Sequence, residues 1–155
     1  MVDAAIAVGV VLLLIIFSPI LIPIIVYTLI REKYRARQLH RFLKRNEGLK
    51  FFCYTSKKTG QDFIRENILP HLDNDVQIIY MSQKGQITLD GSSQILEDVG
   101  RQAGGAKRGG YPCIAKIVDG KLISESLNTD LYRIIRRNGD PEPLLRRIRK
   151  FYSLS

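Results

Sequence analysis

Cysteine is scarce in this chain, and so are the other residues on which metal and disulfide chemistry depend. Cys53 and Cys113 are the two cysteines, 60 positions apart, which excludes a disulfide framework and makes a reducing compartment the default. With His40 and His71 as the two histidines, no HExxH and no closely spaced Cys/His cluster, no metal is expected. No Gly-rich phosphate loop ending in Lys-Ser or Lys-Thr is present either, so the common nucleotide-binding chemistry has no obvious seat. Acidic residues are in the minority, 15 against 24 Lys and Arg, and the net charge is +9.

That charge is unevenly placed. Residues 31–50 carry eight basic and two acidic side chains, and residues 131–155 carry seven basic against Asp140 and Glu142. The stretch between them is close to neutral, with nine basic and ten acidic residues over 51–130. Neither basic segment presents aromatics interleaved on a platform, so nucleic acid is not the expected partner. An anionic lipid surface is the simpler target, at about 1 kcal/mol per basic residue. Its expected contacts are Arg31, Lys33, Arg35 and Arg37 on one helix and Arg146 and Arg147 on another.

From Ala4 to Ile30 there are 27 consecutive uncharged residues, and a helix of that length rises about 40 Å against a hydrocarbon core of roughly 30 Å. Residues 1–30 therefore read as a transmembrane anchor. A cleaved signal peptide is the competitor, but the apolar run is too long, no basic region precedes it and no small-x-small site closes it. The basic residues after the run place the C-terminal part in the cytoplasm, as a single-pass protein. Pro19 and Pro23 predict a kinked span, with a re-entrant hairpin as the alternative. Residues 31–47 read as a basic juxtamembrane helix, with Tyr34, Leu39 and Phe42 able to sit among headgroups; a solvated charged helix is the plainer reading.

The rest alternates. Leu49–Tyr54 and Val76–Met81 are apolar runs of strand length, while Phe63, Ile64, Ile68 and Leu69 recur at helical spacing between them. Residues 85–91 are rich in turn formers, and Ser93–Gln102 predicts a helix through Ile95, Leu96 and Val99. Gly104 to Gly110 read as a flexible loop. Cys113–Val118 and Lys121–Ser126 then flank Asp119-Gly120, a strong hairpin signal. Asn128 or Thr129 caps a helix over Asp130–Arg137 that stops at Asn138-Gly139, and a basic amphipathic helix follows over residues 140–155. The order β-α-β-α-β-β-α implies an α/β fold whose first strands are parallel and whose last pair is antiparallel.

Tyr111-Pro112-Cys113-Ile114-Ala115-Lys116-Ile117-Val118-Asp119-Gly120, together with Asp130-Leu131-Tyr132 and Asn138-Gly139, resembles the thioredoxin and glutaredoxin superfamily over residues 48–139. The resemblance implies a thioredoxin-like sheet, a cis peptide bond before Pro112, and a final helix packed over the sheet. It also implies a ligand-binding edge at Tyr111 and Pro112, near Lys57, Lys58 and Asp130. The departure is chemical: the family's Cys-x-x-Cys position holds Thr55-Ser56-Lys57-Lys58-Thr59-Gly60-Gln61, and without a thiol there dithiol oxidoreductase activity is not expected. The lysines are a weak anion site or, more simply, solvated charges beside a helix cap. The reading that follows is a tethered interaction or scaffolding module that binds an unidentified membrane or cytoplasmic protein and needs no cofactor. The enzyme alternative is a glutathione-linked monothiol protein using Cys113, the one candidate nucleophile; the plainer reading makes Cys113 a small buried hydrophobe.

Overall fold

The computed structural model describes the backbone of residues 2–55, 58–81, 94–105 and 110–153, and the side chains of residues 22–55, 60–81, 94–105 and 110–153. Helix α1 (Val2–Arg45) leads into β1 (Lys50–Thr55), α2 (Lys58–Asn67), β2 (Val76–Met81) and α3 (Gln94–Gly105). After them come β3 (Cys113–Val118), β4 (Lys121–Ser126), α4 (Asn128–Arg137) and α5 (Glu142–Ser153). The architecture is α/β, with a four-stranded mixed sheet in the order β2-β1-β3-β4 and five α-helices among the described residues. Strands β1 and β2 are parallel, and the β1–β3 and β3–β4 pairs are antiparallel.

The central strand explains the layers. Phe51 and Phe52 are adjacent in β1 and both buried, because side chains alternate faces along a strand and this sheet is covered on both sides. Phe51, Cys53, Cys113, Ala115 and Ile117 face Val99 and Ala103 of α3 and Leu43 at the end of α1. Phe52, Tyr54 and Ile114 face Ile64 of α2, Leu131 of α4 and a row from α5: Leu144, Leu145, Ile148, Phe151 and Tyr152. Burying each such side chain contributes about 1.5–3 kcal/mol. The Tyr152 hydroxyl donates to the Phe51 carbonyl at 2.8 Å, fixing α5 to the centre of the sheet. Lys50 and Lys116, opposite each other on β1 and β3, lay their ammonium groups 5.8 Å from the Tyr152 ring centre and 5.4 Å from that of Phe151. Lys50 also pairs with Asp75 at 2.7 Å, and that ammonium holds the Asp75 carboxyl below its ordinary pKa.

Two turns follow the sequence signals. Asp119 and Gly120 both have positive φ, 53° and 67°, as a tight hairpin turn requires, and the Glu47 carboxylate accepts their amides at 2.7 and 2.9 Å. Asn138 ends α4 in the left-handed conformation. At the other end of α4 no side chain caps the helix from Leu127; the Ser126 hydroxyl instead accepts the Asn128 amide at 3.3 Å.

Three expectations change. Among the described residues no helix is long and apolar enough to cross a membrane, so the transmembrane anchor at 1–30 and the single-pass, cytoplasmic-domain topology are not supported. The uncharged stretch with described side chains, residues 22–30, rises about 14 Å, under half of a hydrocarbon core; the rest of the run lies outside the described side chains. The re-entrant hairpin is absent as well, since α1 is one continuous helix through Pro19 and Pro23. Second, Leu39 and Phe42 are not set among headgroups but pack with buried Leu43 against the sheet, and the compact unit accordingly runs from Leu39 to Ser155, with Met1–Gln38 a separate unit. Third, Gly104 and Gly105 belong to α3 rather than to a loop. The turn-rich residues 85–91 and most of the expected loop, 106–109, lie outside the described residues.

Candidate functional site

Of the residues expected to form one ligand-binding edge, the described Tyr111 and Asp130 belong to elements on opposite faces of the sheet. On the α3 face, the Tyr111–Pro112 peptide bond is cis and leads directly into β3. The Pro112 carbonyl accepts the Leu127 amide at 2.8 Å, which ties this edge to the start of α4. The Tyr111 hydroxyl donates to the Gly100 carbonyl at 2.8 Å, and its ring lies against Gly104 so closely that a Cβ there would sit 2.3 Å from Cζ. Burial, with the neighbouring Cys113 and Cys53 thiols adding to it, pushes the Tyr111 phenol up to about 12. Cys113 is 1 % exposed and stands opposite Cys53, which is fully buried. Hydrogen bonding with the Cys113 thiol, followed by burial, raises the Cys53 pKa well above the ordinary thiol value.

Lys57 and the side chain of Lys58 lie outside the described residues. Asp130 is described, and it sits on the opposite face from Cys113, in the first turn of α4. There it pairs with Arg133 at 3.3 Å and with Arg147 of α5. Arg147 also donates from Nε to Glu125 of β4 at 2.6 Å, so one guanidinium joins β4, α4 and α5. Of the other basic residues expected at a surface, Arg31, Lys33, Arg37 and Arg146 are exposed and Arg35 is half-buried.

Around Asp130 the two C-terminal helices enclose a groove of about 370 Å³. Its floor is apolar, from Ile134, Pro143 and Leu144, and its rim is cationic, from Arg133, Arg137 and Arg147. An adjoining hollow of about 320 Å³ is bounded by Arg133, Arg136 and Arg137. The local sequence produces this geometry. Leu131 and Ile134, three apart in α4, and Leu144, Leu145 and Ile148 in α5 turn their apolar stripes toward the sheet, which leaves the arginines at the helix margins. Asn138 in its left-handed conformation and Gly139 turn the chain between the helices. Asp130 neutralises part of the rim, whereas Arg137 makes no ion pair among the described residues.

Sequence reasoning named Asp130 and Arg147 and missed Arg133, Ile134, Arg137 and Pro143. The signal was available in the spacing Asp130-x-x-Arg133-x-x-x-Arg137, which places one acid and two bases along one side of a helix. Nothing in that spacing says that a second arginine-bearing helix closes the groove.

No family model, curated protein or solved structure matches this chain.

Proposed function

We propose that residues 48–139 form a thioredoxin-like domain without a dithiol centre, and that the chain works as a protein-interaction module. The strand order β2-β1-β3-β4, the helices on both faces and the cis bond before Pro112 support the fold reading. The observation that carries the functional reading is the groove between α4 and α5, in which an apolar floor is bordered by guanidinium groups. That combination fits an acidic peptide segment of a partner protein: a leucine-sized side chain covers Ile134 and Leu144, and flanking carboxylates meet Arg133 and Arg137. Backbone and side-chain ordering consume part of the gain, so the affinity belongs to the micromolar class of transient recognition.

Fluorescence anisotropy with a labelled Glu/Asp-rich peptide containing one leucine tests this. Binding should saturate, weaken with added salt, and fall about tenfold in an Arg133→Ala/Arg137→Ala double variant, since exposed charge pairs contribute about 0.2–1 kcal/mol each. A lysine-rich peptide of the same length should not bind. Equal affinity for both peptides, or an unaffected double variant, would exclude the groove as the recognition surface.

The glutathione-linked alternative asks a thiol ligand to reach Cys113. Its side chain is 1 % exposed, so no structural observation favours that reading.

A further inference from the structure

The two cysteines are separated by 60 positions, yet the fold makes them direct cross-strand partners: Cys53 of β1 stands opposite Cys113 of β3. Both are free and buried, and both belong to the cluster on the α3 face. Directly opposed residues of an antiparallel pair have Cα atoms about 4.5–5.5 Å apart, inside the window of about 4.4–6.8 Å that a disulfide spans. Phe51, Ile79, Val99 and Ala103 are buried in the same apolar cluster. With Cys53 fully buried and Cys113 1 % exposed, charged or bulky oxidants are kept out, and only a small neutral one can reach the pair, through local opening of the fold.

We propose that Cys53 and Cys113 form a cross-strand dithiol that a peroxide oxidises to an intramolecular disulfide. The Cys113 sulfur attacks one peroxide oxygen, the O–O bond breaks, and the thiol proton leaves with the departing oxygen as water, giving a sulfenic acid. The Cys53 sulfur then attacks the Cys113 sulfur, the S–O bond breaks as the S–S bond forms, and the Cys53 proton leaves with the hydroxyl as a second water. One hydrogen peroxide is reduced by two electrons, two thiols are oxidised, and two waters are released. The pair is unrelated to the groove between α4 and α5, so its test does not depend on peptide binding.

The full chain, reduced and then freed of reductant, is treated with hydrogen peroxide, denatured, reacted with a maleimide and mapped by mass spectrometry. The expected result is a monomer lighter by about 2 Da, no maleimide uptake, and a peptide linking Cys53 to Cys113 that dithiothreitol separates. A Cys53→Ser variant should stop at a sulfenic acid that dimedone traps on Cys113, whereas Cys113→Ser should leave Cys53 unlabelled by dimedone. The proposal is overturned if both thiols still react with maleimide after a dose that oxidises the unfolded chain. Disulfide-linked dimers, or a sulfinic acid on either residue of the unsubstituted chain, would overturn it equally.

Discussion

Replacing Gly104 by alanine tests how the edge before β3 is built. A Cβ at this position would lie 2.3, 2.6 and 2.7 Å from Cζ, Cε1 and Oη of Tyr111, distances that no packed structure tolerates, so the ring must leave. Its departure breaks the hydrogen bond to the Gly100 carbonyl, about 1 kcal/mol, and exposes roughly 80 Å² of ring surface, about 2 kcal/mol. Alanine returns at most about 1 kcal/mol of helix propensity, less at the penultimate residue of α3. The net expectation is a loss of about 2 kcal/mol, read as a lower urea midpoint at unchanged slope. Gly105→Ala is the internal control, because nothing lies within 4 Å of a Cβ there, and it should be neutral or stabilising by a few tenths of a kcal/mol. A Gly104→Ala chain as stable as the Gly105→Ala chain would refute the contact between Tyr111 and α3.

The same unfolding assay checks the docking of α5. Tyr152→Phe leaves the Phe51 carbonyl without its side-chain donor and should cost about 1–2 kcal/mol, while an unchanged midpoint would separate that helix from the core. Glu47→Ala removes the carboxylate that accepts two amides of the Asp119-Gly120 turn and should cost about 1 kcal/mol, whereas Glu47→Gln should cost less. The Lys50 ammonium lowers the Asp75 pKa in the folded chain, so this pair stabilises the fold above the ordinary aspartate range and ceases to do so as pH falls through the lowered value. Carbon-detected titration should find Asp75 below its ordinary pKa and return it to that value in Lys50→Met. Tyr111 carries the opposite sign: a phenol raised to about 12 stabilises the fold at neutral pH, and that contribution is lost between about pH 10 and 12, which ultraviolet difference titration of Tyr111→Phe against the unsubstituted chain resolves.

Local signals were legible wherever the physics is local. The apolar runs of β1 and β2, the Asp119-Gly120 hairpin and the Asn138-Gly139 stop each depend on a few consecutive residues, and each stands where the sequence placed it. Surfaces that pair across the chain were not legible. The apolar stripe of α5 was read correctly from Leu144, Leu145, Ile148 and Phe151, but amphipathicity names a face and not its partner, and the partner is the sheet instead of a lipid surface. The same holds for Leu39 and Phe42. Gly104 looked like loop glycine because composition carries no information about a ring packed 11 residues from its hydrogen-bond acceptor. Register decides that Cys53 meets Cys113, and register is a property of the assembled sheet, set by side chains on both faces. The groove escaped for a related reason: its arginines come from two helices whose spacing in sequence does not encode their packing.

Amide chemical-shift mapping of the labelled chain during titration with the leucine-containing acidic peptide locates the bound peptide on the fold. Saturable shifts should be confined to residues 130–147, centred on Arg133, Ile134 and Arg137, with the Tyr111–Cys113 edge unmoved. Shifts centred on Tyr111 and Cys113, or none on α4 and α5, would contradict binding in the groove.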